Sequence, residues 1–99
     1  MILKERHRQI LIDIFSSVGT PIEVWAFGSR VNGKAIEGSD LDLVGKTKDG
    51  QKIPVKDFSA ILDKIEESRI PFMVDFFDWA RLPETFHRNI KKQYEVLYP

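Results

Sequence analysis

The chain has 99 residues, and its 15 Lys and Arg balance its 15 Asp and Glu, so the formal net charge is zero. A chain of this size, with 42% hydrophobic and 30% charged residues, forms one globular domain and offers an open groove rather than a deep pocket. The absence of cysteine excludes disulfides, thiolate zinc sites and cysteine nucleophiles, and the neutral charge argues against direct nucleic-acid binding.

No apolar run has the length of a membrane span, and the first residues lack the apolar core of a secretory signal. We therefore expect a cytoplasmic protein with no membrane partner.

The first half of the chain predicts one helix and two strands. Apolar residues recur at helical spacing over 4–18, which predicts an amphipathic helix that ends at Gly19. β-Branched and aromatic residues predict a strand over 22–27. Residues 28–39 hold three of the six glycines and predict a loop with one short helical turn at its start. Period-two alternation predicts a second strand over 40–44.

The second half predicts two helices and one strand. Residues 45–54 are polar and predict a connection. Apolar residues at i, i+3, i+4 and i+7 predict a helix over 56–68, and residues 72–77 predict a third strand. A last helix is predicted over 84–93, opened by a proline, and residues 94–99 form a short tail.

These elements predict an α/β (α+β) fold in which residues 1–99 form a single domain. Helices interleaved with strands imply a small three-stranded sheet covered by helices. The short link between the first two strands allows them to run antiparallel, so we expect a mixed sheet.

Three aspartates lie inside the predicted strands. Asp40 and Asp42 flank one leucine, and alternate residues of a strand share a face about 6–7 Å apart. Two carboxylates so placed repel each other unless a cation lies between them, while Leu41 and Leu43 point to the opposite face and enter the core. Asp75 lies in an apolar run, where an ionised carboxylate requires a cation, hydrogen bonds or an open strand end. If the third strand lies beside the second, the three carboxylates converge and suit Mg²⁺ or Mn²⁺.

A glycine and a serine directly after the first strand predict a seat for an anion. Gly28 lets the backbone approach a ligand closely, and amides that open a helical turn bind phosphate together with the Ser29 hydroxyl. A metal–triphosphate complex needs both this seat and the carboxylates. Taken singly, these features are typical of a turn and of a solvated strand face; their order and spacing favour a site.

The segment FGSRVNGKAIEGSDLDLVG resembles the signature of the DNA polymerase β-like nucleotidyltransferase superfamily. That signature is Gly-Ser, a spacer and Asp-x-Asp, and ten residues separate Ser29 from Asp40, as in the small MNT (minimal nucleotidyltransferase) group. Asp75 stands where the superfamily has its third carboxylate. The resemblance covers nearly the whole chain.

The resemblance implies roles for the site residues. The three aspartates are then the catalytic residues and hold two Mg²⁺ ions, with Mn²⁺ as the alternative, and Asp75 also helps to activate the attacking group. Gly28 and Ser29 hold the β- and γ-phosphates, and Arg30 and Lys34 are further phosphate contacts.

MNT proteins are typically paired with an all-helical HEPN protein in toxin–antitoxin modules, and the MNT partner adenylylates the HEPN toxin on tyrosine. The leading hypothesis is therefore transfer of a nucleoside monophosphate, AMP from ATP, to a hydroxyl group of a HEPN protein. One alternative is an antitoxin that binds nucleotide and neutralises its partner without catalysis. Another is a transferase for a small molecule such as an aminoglycoside, whose groove would need a homo-oligomer or another subunit.

Other notable residues have structural explanations. Trp25 and Trp79 are interpreted as core or interface anchors, and His7 as a packed histidine on the apolar stripe of the first helix. We place His87 on a solvated face. Asp78 alternates to the face opposite Asp75 and is left out of the site.

Overall fold

The computed structural model describes residues 3–31 and 40–99. It contains the three predicted helices and three predicted strands, with ends shifted by a few residues, and adds a fourth strand and a 3₁₀ turn. None of the helices within these residues combines the length and apolar character needed to cross a membrane. In chain order the elements are α1 (Glu5–Ser16), β1 (Ile22–Phe27), β2 (Leu41–Thr47), α2 (Val55–Glu67), β3 (Val74–Asp78), a 3₁₀ turn (Trp79–Arg81), α3 (Glu84–Lys92) and β4 (Tyr94–Tyr98).

The sheet has four strands in the order β3-β2-β1-β4. β1 runs antiparallel to β2 and β4, and β2 runs parallel to β3, so the predicted mixed sheet is confirmed. The predicted strand count is wrong, because residues 94–98 are not a free tail but pair with β1. Their aromatic and β-branched residues suit a strand, and the open edge of β1 supplies the partner that the local sequence does not reveal.

One face of the sheet carries the main core, formed with α1 and α2. Leu41 and Leu43 are fully buried there, as predicted. The predicted connection begins at Gly45, but β2 continues through this glycine to Thr47. A Cβ at Gly45 would lie 2.7 Å from Cζ of Phe76, so the glycine makes room for a core ring rather than ending the strand.

The opposite face carries a second, smaller cluster. Trp25 and Val44 of the sheet pack with Ile90 of α3. Trp79 packs edge-on against Trp25 with ring centroids 5.4 Å apart, so both tryptophans are packing residues, as predicted. The Lys46 ammonium lies 4.1 Å from the centre of the Trp25 ring and 4.5 Å from that of Trp79. This cluster fixes α3 on the sheet.

His7 is buried and meets Phe72 edge-on, which confirms the packed histidine. The prediction that His87 lies on a solvated face is wrong. Its ring stacks on Trp79 at 3.9 Å, and its Nε2–H donates to the Trp79 carbonyl oxygen at 2.6 Å. The error arises because the 3₁₀ turn after β3, which is absent from the prediction, presents Trp79 to α3.

Asp78 lies on the face opposite Asp75, as predicted, which is the face of the main core, and it is 3% exposed. Its carboxylate accepts hydrogen bonds from the backbone N–H of Ile53 (2.9 Å), the backbone N–H of Ala80 (3.1 Å) and Nε of Arg81 (3.1 Å). These partners satisfy a buried charge, so Asp78 is a structural carboxylate that joins β3 to the segment before α2.

Candidate active site

Asp42 and Asp75 lie side by side in neighbouring strands. They are register partners in the parallel β2–β3 pair, whose strands lie about 4.8 Å apart. Both side chains are half-buried. Leu41 and Leu43 occupy the face covered by α1 and α2, so Asp42 between them points to the opposite face, which carries α3. Its register partner Asp75 shares that face.

Asp40 lies just before β2 and is exposed. The Leu41 N–H donates to the Met73 carbonyl at 2.9 Å, so the beginnings of β2 and β3 are held level. Burial raises the pKa of Asp42 above its ordinary value, and the negative charges of Asp75 and then Asp40 raise it further. Asp75 and Asp40 therefore both act electrostatically on Asp42, and a cation bound among these carboxylates would offset that repulsion.

Gly28 closes the site on the side of β1. Its φ is +83°, in the left-handed region that favours glycine, and a Cβ placed there would lie 2.5 Å from Oδ2 of Asp42. The Val31 N–H donates to the Gly28 carbonyl at 3.0 Å, so the chain turns tightly over 28–31, and Ser29 is half-buried in this turn. The predicted anion seat therefore adjoins the carboxylate cluster directly.

Of the two basic residues predicted at the phosphates, the structure describes only Arg30. Arg30 is 3% exposed, and its guanidinium lies 4.0 Å from the centre of the Phe72 ring. Lys34 lies outside the described residues. Phosphate contacts by these two side chains remain predictions.

Lys46 shares the face of Asp42 but lies four residues farther along β2, about 13 Å away at the usual rise of a strand. Its ammonium is occupied by the tryptophan cluster. Lys46 is therefore a packing residue in this structure, at the end of the sheet face away from the carboxylates.

The chemistry of the donor set fits a hard divalent cation. Asp40, Asp42 and Asp75 offer only oxygen ligands, and a bound cation would offset the repulsion that raises the pKa of Asp42. Within residues 3–31 and 40–99, no group of three or more His, Asp or Glu side chains lies close enough together to hold a metal ion. The metal-binding role of the three aspartates is thus supported by residue type and by charge, and remains a prediction.

Sequence reasoning missed the contribution of α3 to the site. Phe86, Asn89 and Lys92 line a groove together with Gly28. Gln93, directly after α3, donates from Nε2 to the Val31 carbonyl at 3.4 Å and joins the helix end to the glycine turn. The sequence pattern that could have indicated this is the recurrence of Phe86, Asn89 and Lys92 at every third position of the predicted helix, next to the apolar Ile90.

Comparisons with known proteins agree with the geometry. A family model described as "Polymerase beta, Nucleotidyltransferase" matches residues 9–99. A protein of Haemophilus influenzae (strain ATCC 51907 / DSM 11121 / KW20 / Rd), named "Probable protein adenylyltransferase MntA", is 36% identical over 95 residues, which are 96% of this chain and 82% of that protein. The extent of both matches confirms the resemblance carried by the Gly-Ser and Asp-x-Asp signature.

A solved structure described as "Crystal structure of the toxin-antitoxin with AMP-PNP" superposes with a TM-score of 0.72. The superposition covers 92% of this chain and 72% of that chain at 16% identity, so it shows the fold alone. Together, the fold, the paired aspartates beside Gly28 and the family match lead to one assignment. The chain belongs to the Polymerase beta family of nucleotidyltransferases.

Proposed function

We propose that this protein acts in the cytoplasm and transfers AMP from ATP, with Mg²⁺, to a hydroxyl group of a partner protein of the HEPN type. The observation that carries the proposal is the pairing of Asp42 with Asp75 directly beside Gly28. The relative from Haemophilus influenzae bears the name of a protein adenylyltransferase, which favours a protein acceptor. The structural neighbour was solved as a toxin–antitoxin with AMP-PNP, which favours an adenine nucleotide as donor.

The order of the residues across the sheet supports a direction for the proposed reaction. Gly28 follows β1, Asp42 lies in the neighbouring β2, and Asp75 lies in the edge strand β3. A triphosphate bound at Gly28 and Ser29 would therefore reach Asp42 from one side. The acceptor hydroxyl would approach past Asp75 from the other side, which suits an in-line displacement.

Each residue then has a defined task. Gly28 and Ser29 bind the β- and γ-phosphates, and the three aspartates hold the divalent cations. Bound Mg²⁺, or Mn²⁺ in its place, supplies charge neutralisation of the triphosphate and of the attacking oxygen. Asp75 orients the acceptor hydroxyl and helps to activate it. The new bond joins the acceptor oxygen to the α-phosphorus, and the bond from that phosphorus to the bridging oxygen breaks, so pyrophosphate leaves.

Labelled ATP tests this reaction. The protein is incubated with Mg²⁺, the product of the neighbouring gene and ATP labelled at either the α- or the γ-phosphate. We expect label on the partner from α-labelled ATP alone, and none when EDTA is present. Asp42→Asn removes transfer, whereas Asp63→Asn, which changes an exposed aspartate of α2 in the same way, leaves it intact.

Equal transfer by the Asp42→Asn protein would refute catalysis by this site. The non-catalytic alternative is tested in the same experiment. If the variant transfers no label but still suppresses the activity of its partner, neutralisation by binding alone is supported instead.

A further inference from the structure

We propose that the groove between the glycine turn and α3 binds the adenosine part of the donor, with Phe86 stacking on the base, Asn89 recognising its edge and Lys92 contacting the phosphates. This inference rests on the proposed function and adds the residues that select the nucleotide.

The groove is continuous with the phosphate seat. It has a volume of about 380 Å³, within the range of small-molecule sites, and Gly28 and Phe27 form one wall. Because Gly28 also adjoins Asp42, a ligand in this groove lies next to the carboxylate cluster. Phe86, Asn89 and Lys92 form the facing wall.

The helix holds this second wall in a fixed orientation. Ile90 is 3% exposed and packs with Trp25 and Val44 of the sheet, which anchors α3. Residues spaced by three are neighbours on a helix surface, so Phe86, Asn89 and Lys92 follow one another in a row that curves around the groove side of α3.

The order along this row matches the order of groups in a nucleotide. Lys92 lies at the end of α3 nearest the glycine turn, because the neighbouring Tyr94 pairs with Phe27. Asn89 and Phe86 lie about 4.5 Å and 9 Å farther along the helix axis. This separation leaves room for a ribose between phosphates held near Lys92 and a base held near Phe86.

The chemistry of each side chain fits its position. Phe86 is 51% exposed, so its ring is free of the core and offers a face on which a base can stack. The Asn89 amide offers one donor and one acceptor side by side, which matches N7 and N6 of adenine, whereas guanine presents two acceptors there. The groove lies on the Gly28 side of Asp42, whereas Asp75 occupies the other side, so it suits the donor rather than the acceptor.

Binding measured by titration calorimetry, without acceptor and with Mg²⁺, tests the three roles. Phe86→Ala should weaken ATP and GTP by roughly 5- to 10-fold and leave inorganic tripolyphosphate unchanged. Asn89→Leu should weaken ATP by about 5-fold or more but leave GTP and tripolyphosphate unchanged, which removes the preference for adenine. Lys92→Gln should weaken all three ligands.

Arg88→Gln is the matched control, since it removes a positive charge from the exposed surface of the same helix without touching the groove. It should leave all three affinities unchanged. Unaltered melting temperatures confirm that the exposed substitutions leave the fold intact.

The outcomes separate this inference from the proposed function. If wild-type protein transfers label but Phe86→Ala and Asn89→Leu bind ATP as wild type does, the adenosine groove is refuted and the reaction stands. If the variants show the expected pattern while wild-type protein transfers no label, the groove is supported and the proposed reaction fails.

Discussion

A methyl group at position 28 should separate the chemistry of the site from its stability. In Gly28→Ala the new Cβ would lie 2.5 Å from Oδ2 of Asp42, closer than the 3.0 Å below which Cβ atoms are essentially never found. The neighbouring atom is the end of a side chain, so the carboxylate can retreat by rotation. The fold therefore survives, but the carboxylate on which the proposed reaction depends moves by about half an ångström or more.

Two contributions add in this variant. An alanine at a φ of +83° costs about 1–2 kcal/mol of folding free energy, because its Cβ crowds the following carbonyl. Displacement of Asp42 should lower the rate of the proposed AMP transfer by roughly 10- to 100-fold, because catalytic geometry tolerates little misplacement.

Gly50→Ala is the matched control. Gly50 has a φ of +76°, and among the described residues no neighbouring atom lies within 4 Å of the place that an alanine methyl would take, so this variant shares the backbone cost without the contact. Urea unfolding should show a similar loss of stability in both variants, and the label-transfer assay should show loss of activity only in Gly28→Ala. Equal activity in the two variants would refute the close approach of Gly28 to Asp42 as a requirement of the site.

Further predictions concern charge and packing. The raised pKa of Asp42 means that the folded state binds this proton more tightly than the unfolded state does. The protonated carboxyl therefore stabilises the fold fully below the ordinary carboxylate pKa, and this stabilisation is lost as the pH rises through the pKa of Asp42 in the folded state. At pH 7 in EDTA, Asp42→Asn should therefore raise the free energy of unfolding by less than about 1 kcal/mol in urea titrations, because solvent screens a partly exposed site. Mg²⁺ should raise the melting temperature of wild type and not that of Asp42→Asn; equal shifts would count against the metal site. Asp78→Asn should lose about 1.5–3 kcal/mol by urea unfolding, because the buried hydrogen bonds are charge-assisted, and wild-type stability would contradict its structural role. Lys46→Met should lose about 0.5–1 kcal/mol with its transfer rate unchanged, and a slower rate in the label assay would show instead that Lys46 serves the reaction.

The prediction of the candidate site was based on patterns that are local in the sequence. Period-two alternation placed Asp42 on the face opposite Leu41 and Leu43, and the structure agrees. The pairing that sets Asp75 beside Asp42 had to be assumed, because parallel strands join residues that are far apart along the chain and local patterns do not report which strands are neighbours. The metal ligands and the contacts of Lys34 remain predictions.

The errors share the same physical origin. Residues 94–98 form a strand only because β1 has an open edge, which no local pattern reports. The prediction places His87 in solvent because the position of Trp79 is set by a 3₁₀ turn that the local pattern does not indicate. It ends the second strand before Gly45 because the reason for a glycine there, the ring of Phe76, lies in another strand.

Long-range pairing also governs how this protein gains its activity during folding. β1 pairs with β4, which follows it only at the end of the chain, and β3 pairs with β2 only after the α2 crossover. Both pairings therefore join residues that are far apart in sequence and have high contact order. Such pairings close late, because the entropy of large loops must be overcome first. Nascent helices alone cannot assemble the aspartate pair, and transferase activity should reappear with the slowest phase of refolding.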